Sequence, residues 1–164
     1  MKTSKKQRYQ TIPRTLAFIR ENDNYLLIQK KNENSFGYKK LNGVGGHMEI
    51  GEEPYESAER EIKEETNLHV ENLELTAILF IDTNSIPGIQ VFVFKADYCG
   101  GVFKASEEGL LKWMSRKEIF NSADVVFDVP KLIKICESHC RNSEVSIIKY
   151  LYNDAGELRI VNRL

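Results

Sequence analysis

Residues 46–68, GHMEIGEEPYESAEREIKEETNL, form the segment around which the rest of the chain is organised. Pro54 suits the first turn of a helix, where its missing N–H costs little, and Asn67 suits the left-handed position that ends one. A helix over Pro54–Thr66 is therefore predicted. At about 100° per residue, three of its carboxylates fall within roughly 100° of arc. These are Glu61, Glu64 and Glu65.

Three carboxylates packed this closely repel one another unless a cation neutralises them. Clustered oxygen ligands suit a hard divalent ion, Mg²⁺ or Mn²⁺. Such an ion commonly bridges protein carboxylates to substrate phosphates and acidifies a bound water. The alternative is a solvated charged helix that is stabilised by ion pairs between residues four apart.

The same helix carries two further features. Tyr55, Ala58 and Ile62 form an apolar stripe beside the carboxylates, which we expect to pack into a core. Arg60 points to a different face, from which it could hold Glu52 in a forked ion pair.

Length and composition indicate one soluble globular domain over residues 1–164, in which residues 1–10 are expected to form a flexible tail. Of the 164 residues 41% are hydrophobic and 29% are charged, and the formal net charge is −1. That balance argues against a dedicated nucleic-acid binder, which usually carries a basic excess. No apolar run approaches the ~20 residues of a membrane-spanning helix, so no membrane partner is expected.

The three cysteines are Cys99, Cys136 and Cys140. Their number is odd, and the spacing of Cys136 and Cys140 is helical, with no second pair of ligands to complete a zinc site. Reduced thiols in a cytoplasmic protein are therefore expected.

Alternating and apolar runs separated by turn residues predict a mixed sheet with helices. The three glycines of residues 41–49 suit a strand and turn whose backbone approaches another group closely. Besides Pro54–Thr66, a short helix with a capping box and a longer amphipathic helix are predicted. These two helices cover residues 115–120 and 129–140, and the further strands cover residues 11–20, 25–31, 73–82, 88–97, 110–114, 147–152 and 158–161.

The extended pattern around the first helix resembles the Nudix box. That signature is a glycine, five residues, a glutamate, seven residues, the REUXEE core with U a bulky aliphatic, one residue, a glycine and another aliphatic. Gly46, Glu52, residues 60–65 and Leu68 match it. Asn67 stands where the family has glycine, and Asn also tolerates the left-handed conformation.

This resemblance implies an α/β/α sandwich with a central mixed sheet. Family members mostly hydrolyse a nucleoside diphosphate linked to another moiety, with Mg²⁺ or Mn²⁺ as cofactor. Carried onto this sequence, Glu52 and Arg60 would support the metal site. The implied metal ligands are Glu61, Glu64, Glu65 and the Gly46 carbonyl.

The general base differs between members of the family. It is a glutamate of the box, here Glu64 or Glu65, or one on a later loop, for which Glu108 is the candidate. Glu107 and Glu108 have plain solvated loop acids as their alternative reading.

Residues 41–47 resemble the turn before the box in Nudix enzymes that clear oxidised purine nucleoside triphosphates such as 8-oxo-dGTP. In those of the human type an asparagine at the position of Asn42 hydrogen-bonds the purine edge, although Leu41 replaces a stacking tryptophan. An acidic residue ahead of the penultimate helix also reads the base in that type. Asp124 is the nearest match, with Asp128 as the alternative.

Other residues near the box are candidates for substrate contacts. Phe36 and Tyr38 could stack on a base, although packing in the core or a lid is an equal alternative. Lysine side chains could receive phosphates, with solvated strand ends as the alternative, and His47 is expected beside the site or at the surface. These lysines are Lys30, Lys31, Lys39 and Lys40.

The expected activity is a Mg²⁺-dependent pyrophosphohydrolase of nucleoside triphosphates, with oxidised purine triphosphates as the leading substrate. Cleavage of another nucleoside diphosphate derivative, such as a nucleotide sugar, ADP-ribose or a dinucleotide, is the alternative. A ligand-sensing Nudix domain without activity is the third possibility, and the complete set of box carboxylates argues against it. Family enzymes often dimerise, so a homodimer is possible.

Overall fold

The computed structural model describes residues 8–31, 33, 37–82, 86–102, 109–153 and 155–163. No helix within these ranges is long and apolar enough to cross a membrane. The elements in chain order are β1 (Thr11–Glu21), β2 (Asn24–Lys30), β3 (Leu41–Asn42), α1 (Pro54–Thr66), β4 (His69–Asp82), β5 (Gly88–Gly100), β6 (Gly109–Ser115), α2 (Arg116–Asn121), α3 (Val129–Ser138), β7 (Ser146–Tyr152) and β8 (Leu158–Arg163).

The strands form one mixed sheet in the order β3-β2-β1-β5-β4-β7-β8, and β6 pairs with β2. The pairs β1–β5 and β4–β7 are parallel, and the other pairs are antiparallel. The β1–β5 ladder is the long central one, running from Thr11 opposite Gly88 to Arg20 opposite Asp97. The predicted mixed sheet is therefore confirmed.

Helices cover both faces of this sheet, because successive residues of a strand point to opposite sides. On β1, Ala17 and Ile19 face the cluster that contains Ala58 and Ile62 of α1. Phe18 faces the other cluster, into which α2 and α3 insert their apolar side chains; these are Ile119, Val129, Leu132, Ile133 and Cys136. This is the expected α/β/α sandwich.

The β1–β2 hairpin separates after three residue pairs, and this separation places the box turn. β2 pairs with β6 along its whole length. Beyond the pair of Ile19 with Leu26, residues 43–48 take the place of β2 beside β1. Ala17 forms bridge pairs with Val44, and Arg14 with His47. The glycine-rich segment thus lies along β1 next to α1.

Helix α1 has the predicted bounds, and both of its ends are capped. Glu53 forms a capping box with Glu56, and Asn67 ends the helix with φ 58°. Ala58 and Ile62 are buried as expected, but Tyr55 is 40% exposed. Because Tyr55 lies in the first turn, only one side of its ring packs on the sheet: it meets Phe94 edge-on, with ring centroids 4.9 Å apart.

Several predicted boundaries differ from the observed ones, most of all the start of β4 and the end of β5, where the strands are longer than predicted. β4 begins at His69 and β5 ends at Gly100, because the polar residues there pair across the two strands through bulges. Helix α3 ends at Ser138, before the predicted residue 140. The capping box at Ser115 is confirmed. All three cysteines are free.

Candidate functional site

The turn at Gly45 and Gly46 is pressed between β1 and helix α1. Gly45 has φ 151°, and a side chain there would collide with the Thr15 carbonyl oxygen. A Cβ at Gly46 would lie 2.5 Å from Glu61 Oε1. Thr15 N donates to the Gly46 carbonyl at 3.0 Å. Gly45 is therefore required by its conformation and its close approach to the strand, and a side chain at Gly46 would displace the Glu61 carboxylate.

Arg60 connects three carboxylates and the turn. Its Nε and Nη2 form a fork on Glu52, with Nη2 3.0 Å from Oε2. Its Nη1 lies 2.9 Å from Glu61 Oε1 and 3.1 Å from Glu64 Oε2, and Nη2 also donates to the His47 carbonyl at 3.0 Å. The expected pair with Glu52 is present. The expectation that Arg60 points away from the other carboxylates is wrong, because its long side chain spans both sides.

These contacts favour the ionised forms of Glu52 and Arg60. The hydrogen bonds from Arg60, and then that from Glu49 N, hold the pKa of Glu52 at about 2. The bond to Glu52 in turn raises the pKa of Arg60 above its ordinary value. Glu52 is therefore held as a carboxylate that fixes the position of the Arg60 guanidinium.

Glu65 has a separate set of partners. It is fully buried, with Oε1 2.9 Å from Lys30 Nζ, and Oε2 accepts a bond from Gly45 N at 2.9 Å. Lys30 Nζ also donates to the Gly45 carbonyl at 2.7 Å, which closes a ring. Nothing in the sequence signals this pair, since the two residues lie far apart in the chain.

The predicted metal ligands are therefore divided between two partners. Glu61 and Glu64 share Arg60, and Glu65 is held by Lys30, so no metal-binding group of three or more His, Cys, Asp or Glu residues occurs in the described part of the chain. The donor set nevertheless fits a hard divalent cation. Two carboxylates lie within about 3 Å of one nitrogen, and one of them rests against the Gly46 backbone.

Two of the base-reading candidates lie on neighbouring backbones. Leu41 N donates to the Asp124 carbonyl at 2.7 Å, so Asn42 on β3 lies next to the segment that carries Asp124. The Asn42 side chain accepts a bond from Gly43 N at 2.8 Å, and the Asp124 residue is exposed. Asp128 is buried instead and accepts a bond from the Tyr150 hydroxyl at 3.0 Å.

Tyr38 lies on a loop that packs against the same segment. A Cβ at Gly37 would lie 2.8 Å from Val126 Cγ2, which shows how closely the loop approaches. The Tyr38 hydroxyl donates to Glu33 Oε1 at 3.1 Å. Phe36 and the loop acids Glu107 and Glu108 lie outside the described residues.

A cavity of about 450 Å³ lies elsewhere, between the start of α1, residues 72–75 of β4 and the segment after α3. Tyr55, Glu74 and Arg141 are among its lining residues, and none of the predicted site residues lines it. This cavity is therefore separate from the proposed metal site.

Known proteins resemble this chain in family profile, in sequence and in structure. A family profile described as "NUDIX domain" matches residues 11–134, from β1 into α3. A mouse oxidized purine nucleoside triphosphate hydrolase is 31% identical over 106 residues, 64% of this chain and 67% of the relative. A human 8-oxo-dGDP phosphatase is 37% identical over 92 residues, 56% of this chain but only 27% of that longer protein.

The resemblance extends to solved structures. A crystal structure of a MutT protein from Bacillus halodurans superposes with a TM-score of 0.67 at 26% identity, over 91% of this chain and 97% of that one. Strands β1 to β6, α1 and the box turn fall within the part of the chain that the family profile matches, and β7 and β8 follow it.

Proposed function

This chain belongs to the Nudix hydrolase family, and we propose that it hydrolyses nucleoside triphosphates to the monophosphate and pyrophosphate. Oxidised purine triphosphates such as 8-oxo-dGTP are the proposed substrates. The observation that carries this proposal is the convergence of Glu52, Glu61 and Glu64 on Arg60 beside the Gly46 turn. That arrangement supplies oxygen ligands next to a backbone that only glycine permits.

Glu61, Glu64, Glu65 and the Gly46 carbonyl would hold Mg²⁺ or Mn²⁺. When bound, such an ion polarises a phosphoryl oxygen and acidifies a water. Arg60 holds Glu61 and Glu64 close together, and Glu52 orients Arg60 through the fork.

Glu64 is the better of the two box candidates for the general base. Its side chain is 56% exposed and can reach an attacking water, whereas Glu65 is fully buried against Lys30. A base must lie within hydrogen-bonding reach of the proton that it removes. Glu108 is the rival proposal, on a later loop.

The substrate proposal is supported by the names of two relatives and by one contact. Both relatives are named for oxidised purine nucleotides, one a triphosphate and one a diphosphate. The backbone pairing of Leu41 with Asp124 brings Asn42 and Asp124 to neighbouring positions, where both could read one base edge. Tyr38 and Phe36 are the proposed stacking residues.

Turnover of a nucleotide panel with Mg²⁺ tests this proposal. The panel holds 8-oxo-dGTP, dGTP, 8-oxo-dGDP, ADP-ribose and a nucleotide sugar, and released pyrophosphate and phosphate are measured separately. We expect 8-oxo-dGTP to give the highest kcat/KM, with pyrophosphate as product. Preference for ADP-ribose or the sugar would move the enzyme to the alternative substrate class, and no turnover on any member would remove the hydrolase proposal.

Two further properties are proposed. The free thiols of Cys99, Cys136 and Cys140 fit a reducing compartment, so we propose a cytoplasmic location and a single domain over residues 1–164. Homodimerisation remains a prediction, which light scattering after size-exclusion chromatography would check.

A further inference from the structure

Arg14 occupies a fixed place beside the box turn that the proposed mechanism does not use. On β1 it lies opposite His47, and this bridge follows directly on the bond from Thr15 N to the Gly46 carbonyl. Backbone pairing therefore sets the position of Arg14, in contrast to an arginine on a surface loop.

The Arg14 guanidinium is incompletely bonded. Nε is buried and has no hydrogen-bond partner, and none of the ion pairs between described residues involves Arg14. Burial also lowers the pKa of Arg14, because a charged group is disfavoured away from water. A buried donor without a partner needs an explanation, and a ligand that completes its bonds is one.

Arg14 differs from the other two basic side chains near the turn, because both of those are held in ion pairs. Arg60 pairs with Glu52, Glu61 and Glu64, and Lys30 pairs with Glu65. Arg14 has no carboxylate partner in an ion pair among the described residues. An anionic ligand is therefore favoured beside Arg14.

The course of residues 42–47 along β1 indicates which part of the substrate would lie beside Arg14. Residues 42–47 run along β1 with Asn42 at one end and His47, opposite Arg14, at the other. At about 3.3 Å per residue, these ends are roughly 16 Å apart, which is comparable with the length of a nucleoside triphosphate. A base at Asn42 would direct the phosphate chain towards Arg14.

We propose that Arg14 binds the terminal phosphates of the nucleotide, the part that leaves as pyrophosphate, through a forked guanidinium–phosphate contact. This inference rests on the proposed function for the identity of the ligand. It makes Arg14 a determinant of phosphate-chain length: a triphosphate reaches it and a monophosphate does not.

Binding of inorganic pyrophosphate by isothermal titration calorimetry tests the proposal, in EDTA and again with Mg²⁺. We expect Arg14→Gln to weaken pyrophosphate binding at least tenfold and to leave binding of deoxyguanosine monophosphate unchanged. Arg20→Gln is the matched control, because Arg20 lies on the same strand but is exposed and pairs with Asp97 at 3.0 Å. It should bind both ligands as the wild type does. Arg14→Lys keeps the charge but loses the fork, so its affinity for pyrophosphate should lie between those of the wild type and Arg14→Gln.

Three results would overturn this role: no pyrophosphate binding by the wild type, unchanged affinity in Arg14→Gln, or an equal loss of monophosphate binding, which would assign Arg14 to the base or the fold. Circular dichroism checks folding, and if Arg14→Gln fails to fold then Arg14→Lys decides. Pyrophosphate binding that depends on Arg14, without turnover of any nucleotide, would count against the proposed function and leave this site standing.

Discussion

Glu64 and Glu65 are adjacent in the sequence, yet the fold gives them different surroundings. The Glu64 side chain is 56% exposed and meets Arg60, whereas Glu65 is enclosed with Lys30 and Gly45. We therefore propose different roles for these two side chains: the exposed Glu64 would reach the substrate, and Glu65 also secures the glycine turn.

Replacing Glu64 should affect the rate and not the fold. We expect Glu64→Gln to lower kcat by about 100-fold or more, since a ligand or base acts in the transition state. Its exposed ion pair with Arg60 contributes less than about 1 kcal/mol to stability. Steady-state kinetics and a thermal melt of the same sample measure both effects, and a wild-type kcat would remove Glu64 from the mechanism.

Replacing Glu65 should affect the fold as well. Glu65→Gln leaves the Lys30 ammonium without its partner in a largely enclosed place, and we expect a loss of up to about 3 kcal/mol of unfolding free energy. Urea unfolding measures it, with Glu64→Gln as the control. The double variant Lys30→Met, Glu65→Met should recover much of the loss, because a buried apolar pair needs no counter-charge. Equal stability of Glu64→Gln and Glu65→Gln would contradict the enclosed pair.

At the scale of elements, the two long helices are fixed at their ends by different means. Helix α1 is closed by a capping box at Glu53 and by the left-handed Asn67, whose side chain also donates to the Val102 carbonyl at 3.2 Å. Helix α3 is preceded by its N-cap residue Asp128, whose side chain makes no cap bond and instead accepts a hydrogen bond from the Tyr150 hydroxyl. We therefore expect substitutions at the end of α1 and at the start of α3 to change stability in different ways.

The end of α1 can be tested at Asn67. Asn67→Ala places an ordinary side chain at φ 58°, and we expect it to lower the unfolding free energy by about 1–2 kcal/mol. Asn67→Gly restores the residue of the family signature and should be neutral or slightly stabilising. Chemical denaturation of the three proteins measures this order. A stable alanine variant would show that this position tolerates a residue that disfavours the left-handed conformation.

The start of α3 should show a dependence on pH. Burial raises the pKa of Asp128 from its ordinary 3.8, so the folded state binds that proton more tightly than the unfolded state does. Stability is then lost as the pH rises through the raised pKa, and the penalty is complete above it. Asp128→Asn keeps an acceptor for Tyr150 and removes the penalty. We expect it to raise Tm at pH 7 relative to the wild type, by a margin that shrinks towards pH 4; a constant margin would contradict this account.

For the molecule as a whole, we expect folding not to depend on metal. Arg60 and Lys30 hold Glu61, Glu64 and Glu65 of α1 in ion pairs, so each of these carboxylates has a cationic partner within the chain. We expect EDTA to abolish turnover while the far-ultraviolet circular dichroism stays the same. Added Mg²⁺ should raise Tm in a concentration-dependent way, as any ligand of the native state does. Unfolding in EDTA would show that the ion is structural.

The sequence predicts the local features of this molecule far better than its distant contacts. The bounds of α1, the left-handed Asn67 and the capping box at Ser115 follow from residues within a few positions of one another. The Lys30–Glu65 pair and the place of Arg14 depend on how β1, β2 and the box turn meet, and no periodicity encodes that meeting. The division of the box carboxylates between Arg60 and Lys30 could not be predicted for the same reason.

The ring of Lys30, Gly45 and Glu65 has a consequence for how this chain can evolve. Either charge alone is a liability, because its partner would be left enclosed and unmatched. A single mutation at either position therefore passes through a disfavoured intermediate. Descendants of this sequence should keep both residues or exchange both, so the two positions should co-vary across homologues, and Gly45 should change least of the three because its backbone conformation and its contact with β1 exclude a side chain.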